Sequence, residues 1–356
     1  MDELNKLAGK LDRQFDAQLP FVAYCEPDGL KVHALLGSGG FRAISAKSGF
    51  IFAPFCGSHI MIPEEGSEKI SASFEAREPA AKAPEIQNSE DGKASFIDLV
   101  ANGIARINNG DFSKVVLSRR ELVAIDNIMP SQLLLKLLQA YPSAFRYVFF
   151  HPESGLWAGA TPERLLQAAG NKFHTVALAG TQPFTSSAKI LWQEKEKEEQ
   201  ALVTDFIVDG LKDIALDVEV SQPFTQRAGN LVHIKTDIHG VLKDAHSIER
   251  MLQMLHPTPA VCGTPRDTAR DFILENEGYD REFYSGYLGC IASSEGKTAH
   301  ANLYVNLRCM KISGQTASIY MGCGVTAGSD PEKEYIETVN KSMTMKRILA
   351  EIKQEL

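Results

Sequence analysis

Residues 301–325 read ANLYVNLRCMKISGQTASIYMGCGV, two runs of aliphatic, aromatic and β-branched residues joined by a Ser-Gly-Gln turn. The turn is too short for a crossover helix, so the runs predict two antiparallel strands. In the first run Leu303, Val305 and Leu307 share one face and Arg308 falls on the other, which is either solvent or a cavity. The same pattern recurs upstream. KVVLSRRELVAI at 114–125, YVFFHP at 147–152, LWAGA at 156–160 and HTVALAG at 174–180 all read as strands. Helical spacing appears between these groups. It marks SFIDLVANGIARI at 95–107 through Phe96, Val100, Ile104 and Ile107, and further segments at 131–140, 194–213 and from Pro331 onward. Strands beside strands, with helices between the groups, predict an α+β fold with large antiparallel sheets rather than a parallel βαβ array.

Toward the N-terminus, FVAYCEPDGLKVHALLGSGGF at 21–41 is also strand-like, and residues 1–90 read as a strand-rich part of the same fold. The GSGG at 37–40 lacks the Lys-Ser/Thr that completes a phosphate loop and reads as a turn. Residues 76–93 are polar, hold two prolines and show no apolar period, as expected of a loop or linker. The opening MDELNKLAGKLDRQFD is amphipathic, with acidic residues and no apolar signal core.

The chain has 356 residues, 44% of them hydrophobic, and a net charge of -8, which argues against nucleic acid as a partner. No apolar run approaches the roughly 20 residues a membrane span needs. The six cysteines are dispersed and form no CxxC pair, as in a reduced, cytoplasmic protein. No GxSxG, HExxH or strand-linked GxGxxG occurs. His233, His239 and His256 show no metal spacing and read as structural.

Several charged residues sit where apolar ones are expected. In EKEKEEQALVTDFIVDGL, Leu202, Val203, Phe206 and Ile207 form a buried stripe that Glu199 and Glu196 continue toward the helix start. A carboxylate there needs a cation or a proton, unless the segment is a solvated Glu/Lys run. In the last helix Asp330 is placed to cap and Pro331 suits the first turn. Glu334, Glu337 and Lys341 lie on the stripe that later carries Met345 and Ile348. Two inward Glu from separate helices suit magnesium, which takes one or two protein carboxylates. The alternative is an i,i+4 salt bridge between Glu337 and Lys341. Lys114 stands alone among apolar residues, and Glu163 follows a strand at what reads as a strand-to-helix junction. LAGT at 178–181 and GCGV at 322–325 let backbone N–H groups approach a carboxylate.

In this order FSKVVLSR, GATPERLL, ALAGT, KEKEEQALV, HPTPAVCGTP, YSGYLG, VNLRC and GCGVTAGSDPEKEYIETVNK resemble the chorismate-utilising enzymes, from about residue 94 to 345. That family comprises isochorismate, salicylate, anthranilate and aminodeoxychorismate synthases. The resemblance implies one domain over 1–356, with the catalytic region at 94–356. It implies antiparallel sheets packed as a β-sandwich with helices outside. Lys114 suits a water-using member, and Ala179 stands where aminodeoxychorismate synthases carry Lys. LHPTPAVCGTP at 255–265 resembles isochorismate synthases rather than salicylate synthases, and the 266–285 stretch with Arg281 and Tyr284 fits the family pattern. Gln200 departs from the His that many relatives have.

The implied activity is magnesium-dependent conversion of chorismate to isochorismate, feeding menaquinone or siderophore synthesis. A salicylate synthase is the nearest rival, then the chorismate subunit of an amine-forming synthase. By the same resemblance Glu199 and Glu337 hold Mg2+, with Glu334 and Glu196 in support. Arg308, Gly322 and Cys323 grip the enolpyruvyl carboxylate, with Lys341 nearby. Gly180, Thr181 and Leu307 line the substrate pocket. Lys114 is the base that activates water, which requires surroundings that favour a neutral amine. Glu163 is the acid. A monomer without an amidotransferase subunit is implied.

Overall fold

The computed structural model describes residues 2–39, 48–75, 91–184, 190–228, 231–244, 247–294 and 297–354. The amphipathic start forms helix α1 (Asp2–Asp16), followed by β1 (Phe21–Cys25), β2 (Lys31–Leu36), β3 (Ser48–Ala53), β4 (Ile60–Pro63) and β5 (Glu68–Ser73). Gly40 and nearly all of the 76–93 linker lie outside the described residues. Next come α2 (Lys93–Asn108), β6 (Lys114–Ala124) and α3 (Pro130–Ala140). Four successive strands follow: β7 (Phe145–His151), β8 (Gly155–Thr161), β9 (Arg164–Ala169) and β10 (Lys172–Pro183). Helix α4 (Glu194–Leu211) precedes β11 (Ala215–Val220), β12 (Phe224–Ala228) and β13 (Leu231–Leu242). The chain continues through α5 (Ser247–Leu255), β14 (Gly263–Thr264), α6 (Arg266–Asn276), β15 (Tyr287–Ser294) and β16 (Lys297–Val305). It closes with β17 (Cys309–Ser313), β18 (Thr316–Val325) and α7 (Pro331–Lys353).

The strands form two antiparallel sheets, the first ordered β14-β6-β18-β17-β8-β7-β1-β2-β5. The second runs β11-β13-β10-β9-β16-β15-β3-β4, with β12 also on β13. Alternation gives each sheet an inward and an outward apolar face. The inward faces meet in an aromatic layer: Phe145 of the first sheet stacks on Tyr304 of the second at 4.3 Å, and Phe149 of the first packs on Phe52 of the second at 4.5 Å. Outside the first sheet, the buried residues of α1, α3 and α7 join the outward strand residues in one cluster. Outside the second, α4 and α5 do the same. The α+β sandwich with outer helices is therefore as expected. Asp330 caps α7 by accepting the Lys333 N–H at 3.1 Å.

Two local expectations are corrected. The stretch read as one strand over 301–312 breaks at Asn306–Arg308, where the chain passes from the second sheet (β16) to the first (β17). Asn306 is fully buried at the break. Its side chain accepts from the Tyr147 hydroxyl at 2.7 Å and donates to the Phe283 carbonyl at 2.8 Å. Arg308 takes a left-handed φ of 49°, so strand alternation does not govern it. Likewise Glu163 lies between two strands, β8 and β9, not before a helix. The segment stays extended because Leu165 and Leu166 are buried in strand pairing with β16. The two passages are stitched together: Val305 N–H donates to the Glu163 carbonyl at 2.9 Å, and Ala160 N–H to the Arg308 carbonyl at 3.1 Å.

Candidate active site

Where the two passages lie side by side, a cavity opens between the sheets. Among the predicted residues, Glu163, Gly180, Thr181, Glu199, Leu307, Arg308, Gly322, Cys323 and Lys341 all line it. Lys114 and Glu337 do not line it but pair with the lining residues Glu199 and Lys341, whereas Glu334 pairs with Lys195, which does not line it.

Lys114 opens β6 and is fully buried. Its Nζ lies 3.1 Å from Glu199 Oε1, forming a buried ion pair. Gly324 on β18 makes this meeting possible, because a Cβ there would overlap the Glu199 carboxylate and crowd Lys114. Gly180 is needed for a similar reason: it takes a φ of 71°, and a Cβ would press on Glu196 of α4.

Glu163 is 6% exposed. Burial pushes its carboxyl up to about 7, against the pull of Lys114, Lys341 and Arg308. These three cations oppose the shift without cancelling it, so near neutrality the carboxyl is about half protonated. Burial lowers the Arg308 guanidinium from its ordinary value, partly offset by Tyr284 and Glu337.

The acidic pole lies between α4 and α7. Lys341 Nζ donates to Glu337 Oε1 at 2.7 Å, the i,i+4 pair the spacing allowed, and to the Gly322 carbonyl at 3.0 Å. Glu334, 1% exposed, pairs with Lys195 of α4. Burial and then repulsion from Glu337 raise the Glu334 carboxyl, while Lys195 opposes them. The Lys195 ammonium is stabilised against burial by Glu334, Glu199 and Glu337 together. Burial would raise Glu199 too, but Lys114, Lys195 and Lys341 hold it below the ordinary carboxylate range. Glu199, Glu334 and Glu337 are each paired with a lysine, Lys114, Lys195 and Lys341, and carboxylate oxygens are the ligand type a hard divalent cation takes. Glu196 turns away from this set, because its Oε2 accepts the Gln193 N–H at 2.9 Å in a capping box.

Several cavity residues were not anticipated. His233, read as structural, lines it with Nδ1 3.2 Å from the Gly180 carbonyl and from Thr181 Oγ1. Burial, then Arg308 and Lys341, depress its pKa to about 3, so the ring is neutral. Its Nε2 is buried without a hydrogen-bond partner. Tyr284, Ser285 and Tyr320 form another part of the wall. Arg281 braces them, donating to the carbonyls of Val261 (2.9 Å) and Val116 (2.7 Å) and to Ser285 Oγ (3.1 Å). Gln200, in place of the usual His, bonds Thr204 and Thr236 and stays clear of the cavity. His256 is structural, with Nε2 3.1 Å from the Pro54 carbonyl.

A family model described as chorismate binding enzyme matches residues 59–350, and the chain belongs to that family. Isochorismate synthase DhbC of Bacillus subtilis is 31% identical over 319 residues, 82% of this chain and 77% of its own. Isochorismate synthase EntC of Escherichia coli K12 is 29% identical over 314 residues, covering 83% of this chain and 78% of its own. The solved structure of MenF, the menaquinone-specific isochorismate synthase from Escherichia coli, has the same fold. It superposes with a TM-score of 0.79 at 22% identity, over 98% of this chain and 91% of the other. No described helix is long and apolar enough to cross a membrane.

Proposed function

We propose that this protein is an isochorismate synthase, adding water at ring carbon 2 of chorismate as the hydroxyl leaves carbon 4. The observation that carries the reading is a buried Glu163, its carboxyl raised to about 7, in a cavity shared with Arg308 and Lys341, with Lys114 behind the lining carboxylate of Glu199. Isomerisation by water needs one proton removed and one supplied, and Lys114 with Glu163 offers both. Lys114, once its ammonium has given up its own proton, takes the proton from water, and Glu163 gives one to the departing hydroxyl. Arg308 presents a planar fork to the enolpyruvyl carboxylate, supported by Lys341 and the backbone at Gly322 and Cys323. Gly180, Thr181 and Leu307 line the ring pocket. The similar enzymes DhbC and EntC carry the same activity in their names.

Glu199 and Glu337, with Glu334 in support, would hold magnesium. Bound there, it would anchor the ring carboxylate and draw electron density as the double bonds shift. Chromatography of chorismate incubated with the protein and magnesium tests the reading. Isochorismate alone, formed without ammonia, is expected. Salicylate with pyruvate, or an aminated product, would replace this proposal with one of its rivals.

A further inference from the structure

A second cluster of ligating side chains lies on the strand pair β10–β13. His174 and His239 are direct cross-strand partners, so their side chains leave the same face of the sheet. Their rings stack with centroids 4.1 Å apart and planes 8° from parallel. Asp237 stands two residues before His239 on the same face, with Oδ1 2.9 Å from His174 Nε2. One ligand atom from each of the three lies within 4.8 Å of the others. Glu219 of β11 pairs directly with His239 from the other side, adding a carboxylate to the row.

We propose that His174, His239 and Asp237 form a binding site for a borderline transition-metal ion of the Zn2+ class, separate from the acidic pole between α4 and α7. Two imidazoles and one carboxylate are the donors such ions select, whereas magnesium prefers oxygen alone. His174 Nε2 and Asp237 Oδ1 already stand 2.9 Å apart, while the parallel imidazoles would have to rotate out of their stack for both to face one ion. Both imidazoles must be neutral to ligate. Burial lowers the His174 pKa, which favours that form although Asp237 opposes it. Lys235 also contacts Asp237 Oδ1, at 3.0 Å, and competes with the ion for that oxygen. His239 is exposed, so an ion has a route in. A metal there would cross-link β10 to β13, the two strands that carry Gly180, Thr181 and His233 at the cavity.

The test uses the full chain stripped with EDTA, titrated with zinc chloride and followed by calorimetry and thermal melting. Wild type is expected to bind one zinc equivalent that His239→Ala and His174→Ala lose, with a rise in Tm lost in parallel. His239→Ala removes an exposed side chain and should fold, which circular dichroism confirms. Glu337→Gln, altered at the acidic pole, should keep this zinc equivalent. Equal zinc binding by wild type and both His variants, or its loss in Glu337→Gln alone, would overturn the proposal. So would the absence of any zinc binding by wild type.

Discussion

The proposed chemistry rests on Lys114 and Glu163. Both are buried, Lys114 beside Glu199 and Glu163 in the field of three cations. Lys114→Ala should lower kcat/KM for isochorismate formation by about 10²–10⁴, the usual range for a proton-transfer group. Chorismate binding by calorimetry should survive, because Arg308 and Lys341 remain; full turnover would remove Lys114 from the mechanism. Glu163 makes a pH-dependent case. Its folded pKa, about 7, lies above the ordinary carboxylate value. The folded state therefore holds this proton more tightly than the unfolded chain does. No stability is lost below the unfolded pKa; the loss grows as pH rises and is complete above about 7. Glu163→Gln should thus abolish turnover while raising Tm at pH 8 and leaving it little changed at pH 4. Wild-type activity should fall as pH rises through about 7, as the acid loses its proton. A wild-type pH profile without that limb would take the acid role from Glu163.

At the scale of elements, α4 and α7 deliver the carboxylates, and their starts control where these point. Asp330→Ala removes the α7 cap, which is worth about 1 kcal/mol. Because Glu334 and Glu337 sit in the first two turns, the same change should weaken magnesium binding several-fold, measured by calorimetry. An unchanged affinity would show that the cap and the metal site are independent. Gly324 on β18 has a comparable role, since any side chain there enters the Glu199 carboxylate. Gly324→Ala should reduce activity severely at near-normal stability if Glu199 yields by rotating away. The helices and most strands were legible from period alone. The two passages between sheets were not. PERLL reads as a helix start by local composition, yet Leu165 and Leu166 are drawn into strand pairing with β16. NLRC reads as continuing strand, yet the buried bonds of Asn306 end it.

For the whole molecule, the site joins the two halves of the sandwich. Helix α4 packs on the second sheet and α7 on the first, and their carboxylates meet around Lys195. A cation bound by both would link the two layers, so saturating magnesium should raise Tm. At 100 times Kd the gain is about 2.7 kcal/mol. EDTA should reverse it, and Glu337→Gln should blunt it; no magnesium response in wild type would argue against the shared site. Side-chain period and local turn chemistry defined most element types and the α+β class, and the order of the motifs carried the family resemblance. They also marked Lys114, Glu163, Glu199, Glu337 and Arg308 as charges out of place. Long-range packing was needed to show that the chain changes sheets at Glu163 and Arg308, and that His233 faces the cavity. Packing also paired His174 with His239 across the β10–β13 ladder. Each of these depends on contacts between segments distant in the chain, which no local pattern encodes.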